Sequence, residues 1–153
     1  MKKYELLRIN ELLMKSINYK SHEFGYGVFK NKQIVENALT EVDFMNDIDP
    51  EYVEYENKRI DLCKRLSKKH PNGMEMIVDG RFQIEDDVAF KTGMEELRSQ
   101  YQPFVQKRDE QIRRFNTIMQ QDIELEFVKV EKKDLPKEIQ TAAEMFEYEF
   151  MIA

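Results

Sequence analysis

The chain has 153 residues, of which 41% are hydrophobic and 35% charged, with 30 acids against 24 bases for a net charge of −6. That length suits a single domain with a real core, and the aromatic content in regular apolar spacing argues against intrinsic disorder. The acidic balance argues against general nucleic-acid binding, which rests on neutralising phosphate.

The single cysteine, Cys63, excludes an intrachain disulfide. Lys2 and Lys3 are followed by Glu5, Arg8 and Glu11 rather than by an apolar leader, and no apolar run reaches the length of a membrane span. The expectation is a cytoplasmic protein with no membrane partner. High charge with few glycines and prolines favours long solvated helices.

Leu6, Ile9, Leu13 and Ile17, with Leu7 and Leu12 widening the stripe, predict a first amphipathic helix from residue 3 to 17. The segment from Ser21 to Asn31 mixes Gly25 and Gly27 with Phe24, Tyr26, Val28 and Phe29, and reads as a short strand or a tight aromatic loop. Asn31 is placed to cap a helix from Lys32 to Met45, with Ile34, Val35, Ala38, Leu39 and Val42 on one face.

Asp49 and Pro50 then start a new helix, because a proline at the first helical position loses no hydrogen bond. Tyr52, Val53, Ile60, Cys63 and Leu66 are its expected buried face, with Tyr55, Arg59 and Leu62 alongside. Lys64, Arg65, Lys68 and Lys69 complement its carbonyl end, and the run from His70 to Gly73 stops it.

Asp79-Gly80 predicts a type I′ turn inside a β-hairpin from Met74 to Ile84. A second long helix spans Asp87 to Gln121: Met94, Leu97, Tyr101 and Phe104 form its first stripe, which drifts to Val105, Ile112, Phe115 and Met119. Pro103 predicts a kink near Ser99 to Pro103. Ile123, Leu125 and Phe127 alternate with Glu124 and Glu126 as a strand with one wet face, whose apolar phase flips at Val128 and Val130. A last helix buries Ile139, Ala142, Ala143, Phe146 and Phe150.

The expected fold class is α+β, mainly α: an antiparallel hairpin of long helices over about 50–121 with a β-hairpin tip at 74–84. N-terminal helices at 3–45 and a strand and helix at 122–152 pack on it, in one domain of 1–153.

Cys63 and His70 could share a helix face, but a closed zinc site wants four ligands, so they read as a buried thiol and an exposed imidazole. Asp47 to Glu51 opens like a calcium loop, yet Tyr52 holds the glycine position and Lys58 the bidentate-glutamate position. A magnesium-dependent nuclease core can be assembled from Asp122 or Asp79 with Glu131-Lys132-Lys133, on a short charged triplet beside a turn. No serine sits in a nucleophile elbow, and Gly25-Tyr26-Gly27 lacks the lysine and hydroxyl of a phosphate loop. The sequence therefore assigns no catalytic residue, no metal ligand and no cofactor.

Two features remain as contact candidates. Phe24, Tyr26 and Phe29 could stack on a base while Arg108, Arg113 and Arg114 meet phosphates, although a charge run such as Lys107 to Arg114 is usually a solvated helix side. Of the nine methionines, Met74, Met76, Met94, Met119, Met145 and Met151 fall on predicted apolar faces and read as core filling or an adaptable contact surface.

From Glu56–Lys64 through Asn72-Gly73, the Asp79-Gly80 hairpin, Phe90–Arg114, Asp122–Phe127 and Leu135–Ile139, the order of features resembles small uncharacterised proteins encoded in bacteriophage genomes of Gram-positive and gut bacteria. The resemblance covers the last two-thirds of the chain and implies action in the cytoplasm of an infected bacterium, with no catalytic residue to carry over. Two long apolar stripes want a third element or a second copy to cover them. The expectation is a non-enzymatic homo-oligomer that binds a host or phage protein, as an inhibitor or an assembly factor. Tyr52, Val53, Met94, Leu97, Tyr101, Phe104, Ile112 and Phe115 are the expected interface. The alternatives are a protein that sequesters a nucleotide-like small molecule against host defence, and the metal-dependent nuclease.

Overall fold

The structure, a computed structural model, describes residues 1–153. It is mainly helical, with one two-stranded antiparallel sheet, in the order α1 (Glu5–Ser16), α2 (His22–Leu39), α3 (Pro50–Leu66), β1 (Ile77–Val78), β2 (Arg81–Phe82), α4 (Asp87–Gln100), α5 (Gln102–Met119) and α6 (Ala142–Glu147). Short 3-10 turns occupy Thr40–Asn46, Lys132–Asp134 and Glu149–Met151. The contacts gather into two compact units: residues 1–44 with 114–153, and residues 45–113. Within the first unit, the N-terminal helices and the segment after residue 122 share one core.

In the first unit, Leu6 and Leu13 of α1, Phe24, Val28 and Val35 of α2, and Val130, Ile139, Tyr148 and Met151 of the later segment form the core. α2 begins nine residues before the expected cap at Asn31. Its cap is Ser21, whose hydroxyl accepts from the Phe24 amide and donates to the Asp134 carbonyl. The strand or loop expected at Ser21–Asn31 is therefore helix. Phe24, Val28, Asn31 and Val35 recur at spacings of four, three and four, and burial of that stripe outweighs the two glycines.

The two glycines differ in what surrounds them. A Cβ at Gly25 would meet nothing within 4 Å, whereas one at Gly27 would sit 2.6 Å from Val130 Cγ2 and 3.2 Å from Met151 Cε. Gly25→Ala is expected to stabilise the protein by about 1 kcal/mol through helix propensity alone. Gly27→Ala gains the same propensity but must displace a buried, β-branched Val130, so overpacking of about 1–3 kcal/mol outweighs it. Urea unfolding of both variants checks the contrast, and equal stabilisation would contradict the close approach of α2 to Val130.

Residues 123–130 keep the expected alternation, with Ile123, Leu125 and Phe127 packed on the core and Glu124 and Glu126 exposed. The segment is extended but joins no sheet; it makes one isolated bridge, at Val130 to Ile152, and Lys2 bridges to Asp122 just before it. Where the apolar phase flips, the partner is a side chain: Asn31 Nδ2 donates to the Val128 carbonyl at 2.9 Å and its Oδ1 accepts from the Val128 amide at 2.7 Å. A fully buried amide thus takes the place of a neighbouring strand.

The last helix is much shorter than expected. Thr141 and Glu144 make a reciprocal capping box that starts α6 at Ala142, and the chain tightens into 3-10 geometry after Tyr148. Ala142, Ala143 and Phe146, expected in the buried stripe, are exposed, because a single six-residue helix turns only part of its circumference to the core. Ile139 and Tyr148 are buried, and Phe150 meets Phe127 edge-on with ring centres 4.9 Å apart.

In the second unit, α3 and α4 pack together as an antiparallel pair. Near the start of α3, Lys107 reaches Asp49 at 2.9 Å, and near its end the Glu85 amide donates to the Leu66 carbonyl at 2.8 Å. Asp79 (φ 49°) and Gly80 (φ 73°) make the expected turn, pairing Ile77 with Phe82 and Val78 with Arg81. The second long helix is interrupted rather than bent: α4 ends at Gln100, Tyr101 leaves helical geometry (φ −109°, ψ 18°), and α5 restarts at Gln102 with Pro103 in its first turn. Proline is tolerated there because first-turn amides have no partner within the helix.

Candidate functional site

α1 carries apolar residues on more of its circumference than one neighbour can cover. Leu6 and Leu13 are fully buried, while Leu7, Met14 and Ile17 are 41%, 49% and 56% exposed. At 100° per residue the three exposed side chains follow one flank of the helix, and Tyr4, also exposed, starts it. The signal was in the sequence, since apolar residues at 6, 7, 9, 12, 13, 14 and 17 span too wide an arc for one face.

The aromatic cluster of α2 divides. Phe24 is fully buried between Tyr19, stacked at 6.2 Å, and Tyr148, edge-on at 5.6 Å, so it is not available to stack on a base. Tyr26 and Phe29 are exposed on the opposite side, and the Lys30 amine lies 5.7 and 5.8 Å from their ring centres. Behind Phe24, the Tyr148 hydroxyl is 2.6 Å from Ser16 Oγ, and burial pushes its pKa up to about 12.

The arginines have local partners. Arg108 donates to the Met45 carbonyl and to Gln111, and Arg113 donates to the Asp109 carbonyl, all in the second unit. Arg114 belongs to the first unit and lies 4.4 Å over the Phe44 ring. Lys107 pairs with Asp49, so the basic run helps to hold the start of α3.

Most of the expected interface is interior. Tyr101, with Tyr55 and Val105, forms the core of the second unit, and Tyr52, Met94, Leu97 and Phe104 pack against it. Val53 and Ile112 are exposed, and Phe115 is half-buried. The buried face of α3 centres on Tyr55, Leu62 and Cys63, which turns Val53 outward.

One polar cluster has the look of chemistry. Tyr101 Oη donates to Glu54 Oε1 at 2.8 Å and accepts from Lys58 Nζ at 2.6 Å, and Lys58 lies 3.0 Å from Glu54. The Tyr101 hydrogen bond, followed by Lys58, holds the Glu54 carboxyl below the usual carboxylate range. The same hydroxyl, followed by Glu54, raises Lys58. Both shifts move the groups away from neutral pH, where proton transfer wants them. The cluster braces the break between α4 and α5 against α3.

The carboxylates of the supposed nuclease core are engaged separately. Asp122 pairs with Lys2 and Glu131 with Lys133, and no group of three His, Cys, Asp or Glu side chains converges. Compared with known proteins, the chain matches no protein family, no curated protein and no solved structure. No helix is long and apolar enough to cross a membrane.

Proposed function

We propose that this is a non-enzymatic accessory protein of the phage type, which works in the cytoplasm of an infected cell by binding other proteins and associates with copies of itself. The observation that carries the reading is the exposed flank of α1, Tyr4, Leu7, Met14 and Ile17. The helix already buries its opposite side, so this flank adds nothing to the fold of its own unit. Covering such side chains stabilises a complex by about 1 kcal/mol each. Inhibition of a host protein and assistance in assembly both require a surface of this kind.

Sedimentation velocity over a concentration series tests it. The protein is expected to self-associate, and Leu7→Glu with Met14→Glu is expected to return it to monomer with its helical content intact. A wild-type protein that stays monomeric at the highest attainable concentration would overturn self-association through α1.

A second reading rests on Tyr26, Phe29 and Lys30, two open rings beside one amine, which suit the base and phosphate of a nucleotide-like molecule. Nucleotides that fail to raise the melting temperature of the wild-type protein would remove it.

A further inference from the structure

We propose that Met14 makes self-association sensitive to oxidation: peroxide converts its thioether to the sulfoxide, and the modified flank of α1 no longer pairs with a second copy. This rests on the reading of that flank as a self-association surface, and adds how the surface is switched.

Exposure sorts the methionines. Met119 and Met151 are buried, and Met45, Met76, Met94 and Met145 are partly covered. Met1, Met14 and Met74 are exposed, and of these only Met14 lies within α1. The other members of the flank, Tyr4, Leu7 and Ile17, carry no sulfur. Leu7 is two turns away, so its side chain and that of Met14 stand about 20° apart around the helix axis. The one thioether of the flank therefore sits in the middle of the apolar stripe, 49% exposed.

The chemistry needs no catalyst. The sulfur lone pair attacks one peroxide oxygen, an S–O bond forms, the O–O bond breaks and water leaves. Sulfur gives up two electrons and the peroxide takes them. A polar, chiral sulfoxide then stands where an apolar thioether was. Its oxygen is hydrated while exposed, and the apolar side chains of a second copy's flank offer it no donor. Pairing would strip that water without return. The outward position spares the fold, because α1 still buries Leu6 and Leu13. Sulfoxide reductases reverse the step. Pairing in turn covers the sulfur, and a covered thioether oxidises more slowly.

The test is limited oxidation of the full-length protein with hydrogen peroxide, separation of monomer from oligomer by size, and mass spectrometry of each fraction. Met14 sulfoxide is expected to be at least tenfold enriched in the monomer. Met74, 63% exposed and in the second unit, is the reference, and its sulfoxide is expected equally in both fractions. Raising the protein concentration is expected to slow oxidation of Met14 and leave that of Met74 unchanged. Met74→Leu is expected to dissociate under peroxide as the wild type does, and a pair of sulfoxide reductases with dithiothreitol to restore association. Helical content is expected to stay constant throughout. Equal Met14 sulfoxide in both fractions would overturn the proposal while leaving self-association through α1 standing. So would dissociation accompanied by loss of helix, which would trace to the buried methionines. An untreated protein that is monomeric at every concentration would overturn both.

Discussion

Replacing Asn31 with leucine is expected to lower the unfolding free energy by about 2–6 kcal/mol, a large part of the stability of a domain this size. The size is nearly conserved, so the loss comes from hydrogen bonding. Asn31 is fully buried, and its amide satisfies both the N–H and the C=O of Val128 at 2.7 and 2.9 Å. Leucine leaves both groups without partners, at about 1–3 kcal/mol each. The Val128 amide is expected to lose its protection from hydrogen exchange. Asn31→Asp separates the two bonds, because a carboxylate still accepts from the amide but faces the carbonyl with like charge. Only the protonated acid can donate to that carbonyl, so the fold raises the carboxyl's pKa above its unfolded value. The variant's deficit relative to wild type is therefore smallest below the unfolded pKa and grows as pH rises through the folded one. Urea midpoints across pH measure this. An Asn31→Leu variant within about 0.5 kcal/mol of wild type would show that Val128 needs no side-chain partner.

Asn31 also shows where sequence reading stops. An asparagine ahead of an apolar helical pattern is a sound cap by local chemistry, yet its partner lies 97 residues away, a distance no periodicity reports. The signals that proved legible were local. Asp79-Gly80 needs positive φ and has it; Asp49-Pro50 opens α3; Pro103 marks the end of one helix and the start of the next. The alternation at 123–127 correctly separated buried from exposed residues, but alternation reports one wet face and not whether a neighbouring strand exists. Most of the expected interface residues lie inside their own unit for a related reason. Amphipathicity says that a stripe must be covered, and Met94, Leu97 and Tyr101 are covered within their own unit by Tyr52 and Tyr55. What remains uncovered, on α1 and at Phe146, follows from how many neighbours each helix acquires, which only the assembled fold determines.

Phe24→Ala is expected to destabilise the protein by about 3–5 kcal/mol, while Tyr26→Ala and Phe29→Ala stay within about 0.5 kcal/mol of wild type. The three aromatics are neighbours in sequence and were candidates for one shared role, but the helix separates them. Phe24 is fully buried, and two rings close over it, Tyr19 at 6.2 Å and Tyr148 at 5.6 Å. Truncation removes that transfer free energy and leaves a cavity beside the Ser16–Tyr148 hydrogen bond, which cannot collapse without moving α1. Phe24→Leu keeps most of the volume and is expected to cost less than half as much. Tyr26 and Phe29 are 53% and 55% exposed, so removing them changes little in the fold and tests only what the surface binds. Urea unfolding of the four variants gives the comparison. If Phe24→Ala were as mild as Phe29→Ala, Phe24 would not lie in the core, and α2 would have to be rotated relative to α1.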